Sequence, residues 1–297
     1  LRKHRALLPL ATSLLFAGSF IAGKYTTADL GPLTTSFFRF LVALFFLTLL
    51  ATITHASLRV SSRDLGNLIL LGLFGIVGYH FFFFSALRHT EVANTAIINA
   101  LSPIITGLMA AAFLRERLGL RNYFGVAIAV VGVIVLLAHG QLQNLMKLNV
   151  NRGDGLMLLA VISWAVYALL VRRLSEKYSG LCLFFYAVLF GTIMLLALAF
   201  TEGWTRQMES ISTASLWSII YMGAAASGIG YLLYTLSIGR IGPTRTASFV
   251  YGLVPIFVAA LALLFFGEPI TPVMIISAGG VLLGLRLMLA RRSSNET

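Results

Sequence analysis

Long apolar runs separated by short polar segments set the pattern of this chain. Ten runs stand out, at about 7–26, 33–54, 65–86, 93–114, 121–138, 155–173, 180–201, 214–238, 245–266 and 271–290. Each approaches the roughly 20 apolar residues that cross a bilayer as an α-helix. The longest connection, about 139–154, carries Gly140, Asn144, Asn149, Asn151 and Gly153. It divides the chain into five predicted helices plus five: a first unit at 1–140, a loop at 141–154 and a second unit at 155–297.

The two units echo each other. A shift of 152 lays residues 79–138 on 231–290 without a gap, and 12 of the 60 pairs are identical. Apolar stretches match by chance, so the polar and special residues weigh more. Tyr79 meets Tyr231, Arg88 meets Arg240, Pro103 meets Pro255, Glu116 meets Glu268 and Gly132 meets Gly284. Earlier helices match more loosely, with Phe16 and Lys24 against Trp164 and Arg172 at a shift of 148. Because five is odd, the second unit enters the membrane from the opposite side. Inverted repeats of this kind are a recurring plan of secondary transporters.

Composition agrees with a membrane chain. The sequence is 59% hydrophobic and 11% charged, far below the roughly one quarter charged of a soluble domain. The net charge of +12 comes from scattered Lys and Arg, not from a basic arm, so no nucleic-acid partner is expected. With the N-terminus placed in the cytoplasm, 16 Lys/Arg fall inside, 5 outside, and Arg39 lies within a helix. The positive-inside rule then puts both termini in the cytoplasm. Leu1–Arg5 before an apolar run resembles the start of a signal peptide, but the repeat favours an uncleaved first helix. The lone Cys182 offers no intrachain disulfide, and no Cys/His cluster suggests a metal; no cofactor is expected.

The phrase Ala100-Leu101-Ser102-Pro103 through Phe113-Leu114-Arg115-Glu116-Arg117-Leu118, followed by Gly125 and Gly132, resembles the repeat ending of the EamA branch of the drug/metabolite transporter (DMT) superfamily. The second copy runs from Leu253-Val254-Pro255 to Gly267-Glu268-Pro269 and Gly284, and Arg39-Phe40 and Ser163-Trp164-Ala165 also fit. Two positions depart from the pattern: Ser277 stands opposite Gly125 and Gly267 opposite Arg115. The resemblance implies an all-α integral membrane protein with ten transmembrane helices, arranged as two inverted five-helix repeats around a central cavity. Length and the aromatic-rich middle look most like YddG-type amino-acid exporters, which implies a bacterial inner-membrane location.

Polar and aromatic groups in the membrane interior are the candidate substrate contacts. In the fourth helix Asn94, Thr95, Asn99, Ser102 and Thr106 fall within a sector of about 140° at 100° per residue. They read either as a pore-lining stripe or as interhelical glue. Tyr79 and Tyr231 are repeat-equivalent and read as symmetric places beside the axis, with His80 as a carboxylate or proton site. Trp164 and Tyr167 share a helix face, as do Tyr231 and Tyr234, and Tyr251 is the repeat partner of Asn99. Pro103, Pro255, Glu116, Glu268, Gly78 and Gly230 read as structural or gating positions. Lys24 and Arg39 read as residues that snorkel to the outer interface. The small-residue faces of the fifth and tenth helices read as packing surfaces, within a monomer or in a homodimer.

These readings predict a carrier that exports aromatic and other neutral amino acids or similar small metabolites by alternating access. Facilitated transport is favoured because no Asp or Glu lies mid-membrane; a proton-linked antiporter using His80 and a channel are the alternatives. A membrane enzyme is not expected, since it would need clustered acid, base or nucleophile side chains. No Walker A phrase points to ATP.

Overall fold

The computed structural model describes residues 3–114, 119–138, 151–241 and 243–289. Helices dominate these residues, and there is no strand among them. In hydrocarbon a helix keeps every backbone N–H and C=O bonded within its own segment, which is why the apolar runs take this form. In chain order the helices are α1 (Lys3–Asp29), α2 (Pro32–Ile53), α3 (Leu65–Leu71, Gly72–Gly78 and Tyr79–Leu87) and α4 (Val92–Asn99 and Ser102–Leu114). Then follow α5 (Leu120–Leu137), α6 (Arg152–Leu174), α7 (Gly180–Thr201), α8 (Thr213–Ile220, Tyr221–Gly230 and Tyr231–Ile241), α9 (Pro243–Phe266) and α10 (Pro272–Leu289). Nine helices among the described residues are long and apolar enough to cross a membrane, and Pro272–Met288 is a shorter apolar helix. The protein is an all-α, multi-pass membrane protein. Phe45 and Leu264, each 75% exposed, belong to its lipid-facing surface.

Two helices depart from regular α geometry in matching places. The middle segments of α3, Gly72–Gly78, and α8, Tyr221–Gly230, are wide π turns. The 152-residue shift carries 72–78 onto 224–230. A π turn displaces the regular i→i−4 bonds and is common at functional sites.

The equivalent helices α5 and α10 lie against each other. A Cβ on Gly125 would sit 2.6 Å from the Gly284 carbonyl oxygen, and one on Gly132 would sit 2.9 Å from that of Ser277. Gly125 and Ser277 are repeat partners, as are Gly132 and Gly284, so the contact is reciprocal. Small residues permit this close backbone approach. The small-residue faces therefore meet within one chain.

The described side chains form two cores. One joins α1, α4, α5, α9 and α10 with the end of α3, the start of α6 and Met222 of α8. The other joins α2, α7, the first part of α3 and the later part of α6. Neither five-helix unit keeps a core to itself, because equivalent helices pair across the repeat: α2 with α7, α4 with α9, α5 with α10.

Connections alternate between the two ends of the bundle. At the end carrying the α1–α2 loop, charged side chains complete helix termini. Lys24 Nζ donates to the Leu87 and Thr90 carbonyls at 2.7 and 3.2 Å, and Arg88 Nη2 donates to Leu30 at 2.9 Å. Lys24 thus neutralises the C-terminal end of α3 and does not snorkel as its sequence position suggested. Glu202 accepts from the N–H groups of Leu33 and Thr34 at 3.1 and 2.8 Å, and Glu268 accepts from Val92 at 3.0 Å. Cations at helix C-termini and carboxylates at N-termini both complement the helix dipole. The opposite end holds the Lys177–Asp64 ion pair, at 3.2 Å, and the Tyr178 hydroxyl donating to Asp64 at 2.7 Å.

Candidate functional site

Proline positions the centre of the site. Pro103 lacks an N–H, so the carbonyl four residues back, at Asn99, loses its helical donor. The structure breaks α4 at Ala100–Leu101, and the Ser102 hydroxyl supplies a substitute bond to the Asn99 carbonyl at 2.7 Å. Pro255 stands in the same relation to Tyr251, yet α9 continues through it as one helix. Asn99 and Tyr251, one proline-turn back in each repeat, are both half-buried.

The break also divides the predicted polar stripe of α4. Asn94, Thr95 and Ser102 are buried, and the Thr95 hydroxyl donates to the Val92 carbonyl at 2.6 Å. Asn94 lies 3% exposed with no partner for Oδ1 among the described residues. Only Asn99 meets the aromatic cluster: its Oδ1 accepts from the hydroxyls of Tyr79 and Ser102, each at 3.2 Å. A constant 100° per residue does not survive the break, which is why one uniform face was the wrong geometry.

Tyr79 begins the last segment of α3, just after the π turn. Its ring lies 5.2 Å from that of Trp164, and Trp164 lies 4.8 Å from Tyr167. Trp164 also contacts the Tyr251 hydroxyl, and Tyr231, Tyr234 and Tyr251 lie within electrostatic range of Tyr167. Tyr79, Trp164, Tyr231, Tyr234 and Tyr251 are half-buried while Tyr167 is buried. Tyr79, Tyr234 and Tyr251 pack against the first core, Trp164 and Tyr231 against the second. The aromatic cluster therefore occupies the seam between the cores.

Repeat-equivalent residues do not all take equivalent places. Tyr231 stacks on Phe184 with centroids 3.9 Å apart and donates its hydroxyl to the Gly180 carbonyl at 3.0 Å, whereas Tyr79 bonds Asn99. The expected symmetric tyrosine pair is replaced by two different settings. His80 is 5% exposed, with Nδ1 3.1 Å from the Ile76 carbonyl and its ring edge-on to Phe40. A carbonyl only accepts, so this bond is made by an Nδ1–H. The histidine is thereby occupied by the π turn of its own helix.

Gly78 and Gly230 sit where helices nearly touch. A Cβ on Gly78 would fall 2.5 Å from Ser163 Oγ, and one on Gly230 would fall 2.9 Å from the Phe16 ring. Ser163 spends its hydroxyl on the Phe74 carbonyl of the π turn, at 2.8 Å. Glu268 caps α4, as described above; Glu116 lies outside the described residues.

Sequence reasoning missed Arg39. It is 8% exposed and points into the protein, with Nε and Nη2 donating to Ser227 Oγ at 3.2 and 3.1 Å. The snorkelling expectation is corrected: the side chain turns toward α8 and away from the interface. A readable signal was present, since Thr35, Ser36 and Arg39 form a polar stripe, and polar faces of membrane helices turn inward. Among the described residues no group of three or more His, Cys, Asp or Glu could hold a metal. A separate apolar groove of about 390 Å³ opens between α1, α8 and α9, beside Gly18, Trp217 and Tyr221, and includes none of the predicted site residues.

Comparison with known proteins places this architecture. The model of the EamA-like transporter family matches twice, at residues 5–138 and 151–290. The chain belongs to the EamA-like transporter family. Transport is thus the family's business, which fits a non-enzyme. The chain is 26% identical over 280 residues to the uncharacterized transporter YyaM of Bacillus subtilis, covering 94% of this chain and 91% of that one. It is 26% identical over 243 residues to a probable terminal-alkyne amino-acid exporter of Streptantibioticus cattleyicolor, covering 80% and 79%. A solved crystal structure shares the fold with a TM-score of 0.63 at 20% identity, covering 99% of this chain and all of that one.

Proposed function

We propose that this EamA-family transporter is a secondary carrier that exports aromatic and other neutral amino acids, or similar small metabolites, by alternating access. The observation that carries the reading is the half-buried aromatic and amide cluster at the seam between two cores. Tyr79, Asn99, Trp164 and Tyr251 offer stacking faces and hydrogen-bonding groups together, a combination suited to an amino acid with an apolar side chain. The name of the Streptantibioticus relative adds weight to amino acids.

The two halves, 1–140 and 155–297, are read as inverted repeats. The double family match and the reciprocal packing of α5 on α10 support this. The moving bodies are then better drawn as the two cores than as the two repeats, with α3 and α6 contributing to both. The bacterial inner membrane is the proposed location, with cytoplasmic termini as the charge bias requires. Glu176 and Glu209, exposed at opposite ends of the bundle, test the orientation as single cysteines. Labelling of position 209 from outside intact cells and of 176 only after permeabilisation is expected; the reverse overturns it.

Transport is proposed to be facilitated. His80 holds the Ile76 carbonyl and is packed among aromatic rings, a setting that gives proton antiport no support. The test is counterflow in proteoliposomes with a panel of labelled amino acids, with and without a pH gradient. Saturable counterflow indifferent to the gradient is expected. Gradient-driven accumulation would replace facilitation by proton coupling, and non-saturable flux at rates far above carrier turnover would indicate a channel.

A further inference from the structure

Arg39 is the eighth residue of α2, about 10 Å along the helix from its start at 1.5 Å per residue. A cation this far inside a membrane protein is costly unless paired. Yet the described carboxylates with known contacts are engaged elsewhere, at helix ends. Glu202 and Glu268 cap α2 and α4, Asp29 accepts from Ser212 and Ser215, and Asp64 holds Lys177. None of them contacts Arg39.

The guanidinium's own bonds are few. It carries five N–H groups. Nε and Nη2 share one acceptor, Ser227 Oγ, and Nη1 meets only the Met222 sulfur at 3.8 Å, a weak acceptor. One N–H on each terminal nitrogen is left without a protein acceptor among the described contacts. A carboxylate, which accepts from two guanidinium N–H groups at once, is the ligand that such remaining donors suit. Ser227 and Met222 belong to the π segment of α8, which fixes the guanidinium plane from one side. The Phe40 ring lies 5.4 Å from the guanidinium carbon, and it leads by ring contacts to His80, at 4.5 Å, and from His80 to Tyr79, at 4.8 Å. Tyr79 continues directly to Asn99 and Trp164. The cation thus forms one end of a line of side chains whose other members are aromatic or amide.

We propose that Arg39, oriented by Ser227, is the anion subsite of the substrate chamber and binds the substrate's carboxylate, while Tyr79, Trp164 and Tyr251 take its apolar part. The assignment rests on the carrier reading and sharpens its substrate class: a carboxylate is required, an amino group is not. Amines and amides of the same shape, which lack the carboxylate, are poor substrates.

The experiment is competition against labelled phenylalanine counterflow in proteoliposomes by phenylpropionate, phenylalaninamide and phenethylamine, with R39Q, R39K and S227A beside the parent protein. In the parent, phenylpropionate should compete and the two compounds lacking a carboxylate should be at least about tenfold weaker. R39Q should remove that preference, R39K should retain part of it, and S227A should weaken carboxylates more than amides. Thermal unfolding of each purified variant separates binding from folding. If R39Q does not fold, R39K and S227A still report the preference. Saturable counterflow with equal competition by the acid and the amide overturns the subsite and leaves the carrier standing. Equal loss for every competitor in R39Q and S227A, in step with a lowered melting point, overturns it in favour of a structural tie between α2 and α8. Absence of counterflow for any labelled amino acid overturns the carrier reading itself.

Discussion

Two corners of the molecule are built alike and furnished differently. In one, the π segment of α3 packs on α6 and α7: Gly75 under Tyr167, Gly78 under Ser163 and Gly72 against Gly191. In the other, the π segment of α8 packs on α1 and α2: Gly223 against the Arg39 carbonyl, Gly228 under Phe46 and Gly230 under Phe16. The helices correspond one for one under the repeat. Their chemistry does not. The α3 corner carries Tyr79, Trp164 and Tyr167; the α8 corner carries Arg39 on Ser227, where the α3 corner has Gly75. Repetition supplies the frame, and the residues that break the repeat make the two corners chemically unlike. A symmetric chamber would hold a substrate in two opposite orientations, whereas an asymmetric one selects a single orientation.

The frame should fail first and equally in both corners. Gly75→Leu and Gly228→Leu each force a side chain into a neighbouring aromatic ring. Each should cost about 1–3 kcal/mol or more, as overpacking does, read as a lowered melting temperature in detergent. Gly155→Ala, where a new Cβ meets nothing within 4 Å, is the control. If one corner tolerates leucine, the two are not mechanically equivalent.

The chemistry should fail unequally. Trp164→Ala removes the ring shared by Tyr79 and Tyr167 and should raise KM about tenfold, the worth of an aromatic contact near 1.4 kcal/mol. Its counterpart Phe16→Ala should leave KM within about twofold, since it touches Tyr234 only at 6.2 Å and lies outside the Tyr79 line. Equal effects in counterflow kinetics would show that the chamber is symmetric after all.

Smaller effects separate the two ends of α4 and α9. Glu268→Ala deletes the cap on α4 and should cost about 0.5–2 kcal/mol, and Glu268→Gln should recover part of it. Both are measured by thermal unfolding. Smallest of all, Ser277→Gly restores the repeat match to Gly125 and should shift stability by less than about 0.5 kcal/mol, because the serine hydroxyl has no partner among the described residues. A larger shift would mean the serine makes a contact that tightens α5 on α10.

Much of the frame could be read from the one-dimensional pattern. Apolar runs of bilayer length must become helices, and a matched proline and glutamate 152 residues apart imply equivalent helices in the two halves. The meeting of Trp164 with Tyr167 was legible too, because three residues along an unbroken helix return to the same face. The stripe through Asn94, Asn99 and Ser102 was not, because Pro103 interrupts the helix that the count assumed. Lys24 and Arg39 were misread for a related reason. Depth along a helix can be counted, but the direction of a side chain around it depends on which neighbours surround it.

The sequence by itself determined that this protein lies in a membrane, that it does so as helices, and that its second half repeats its first. Hydrocarbon leaves the backbone no other partner than itself, so composition and run length suffice for those conclusions. Only the tertiary structure decided that the halves share two cores, that π turns occupy equivalent places in α3 and α8, and that Arg39 turns inward onto Ser227. Those features arise where a side chain from one helix meets the freed backbone or polar group of another, and such meetings join residues as far apart as 206 positions.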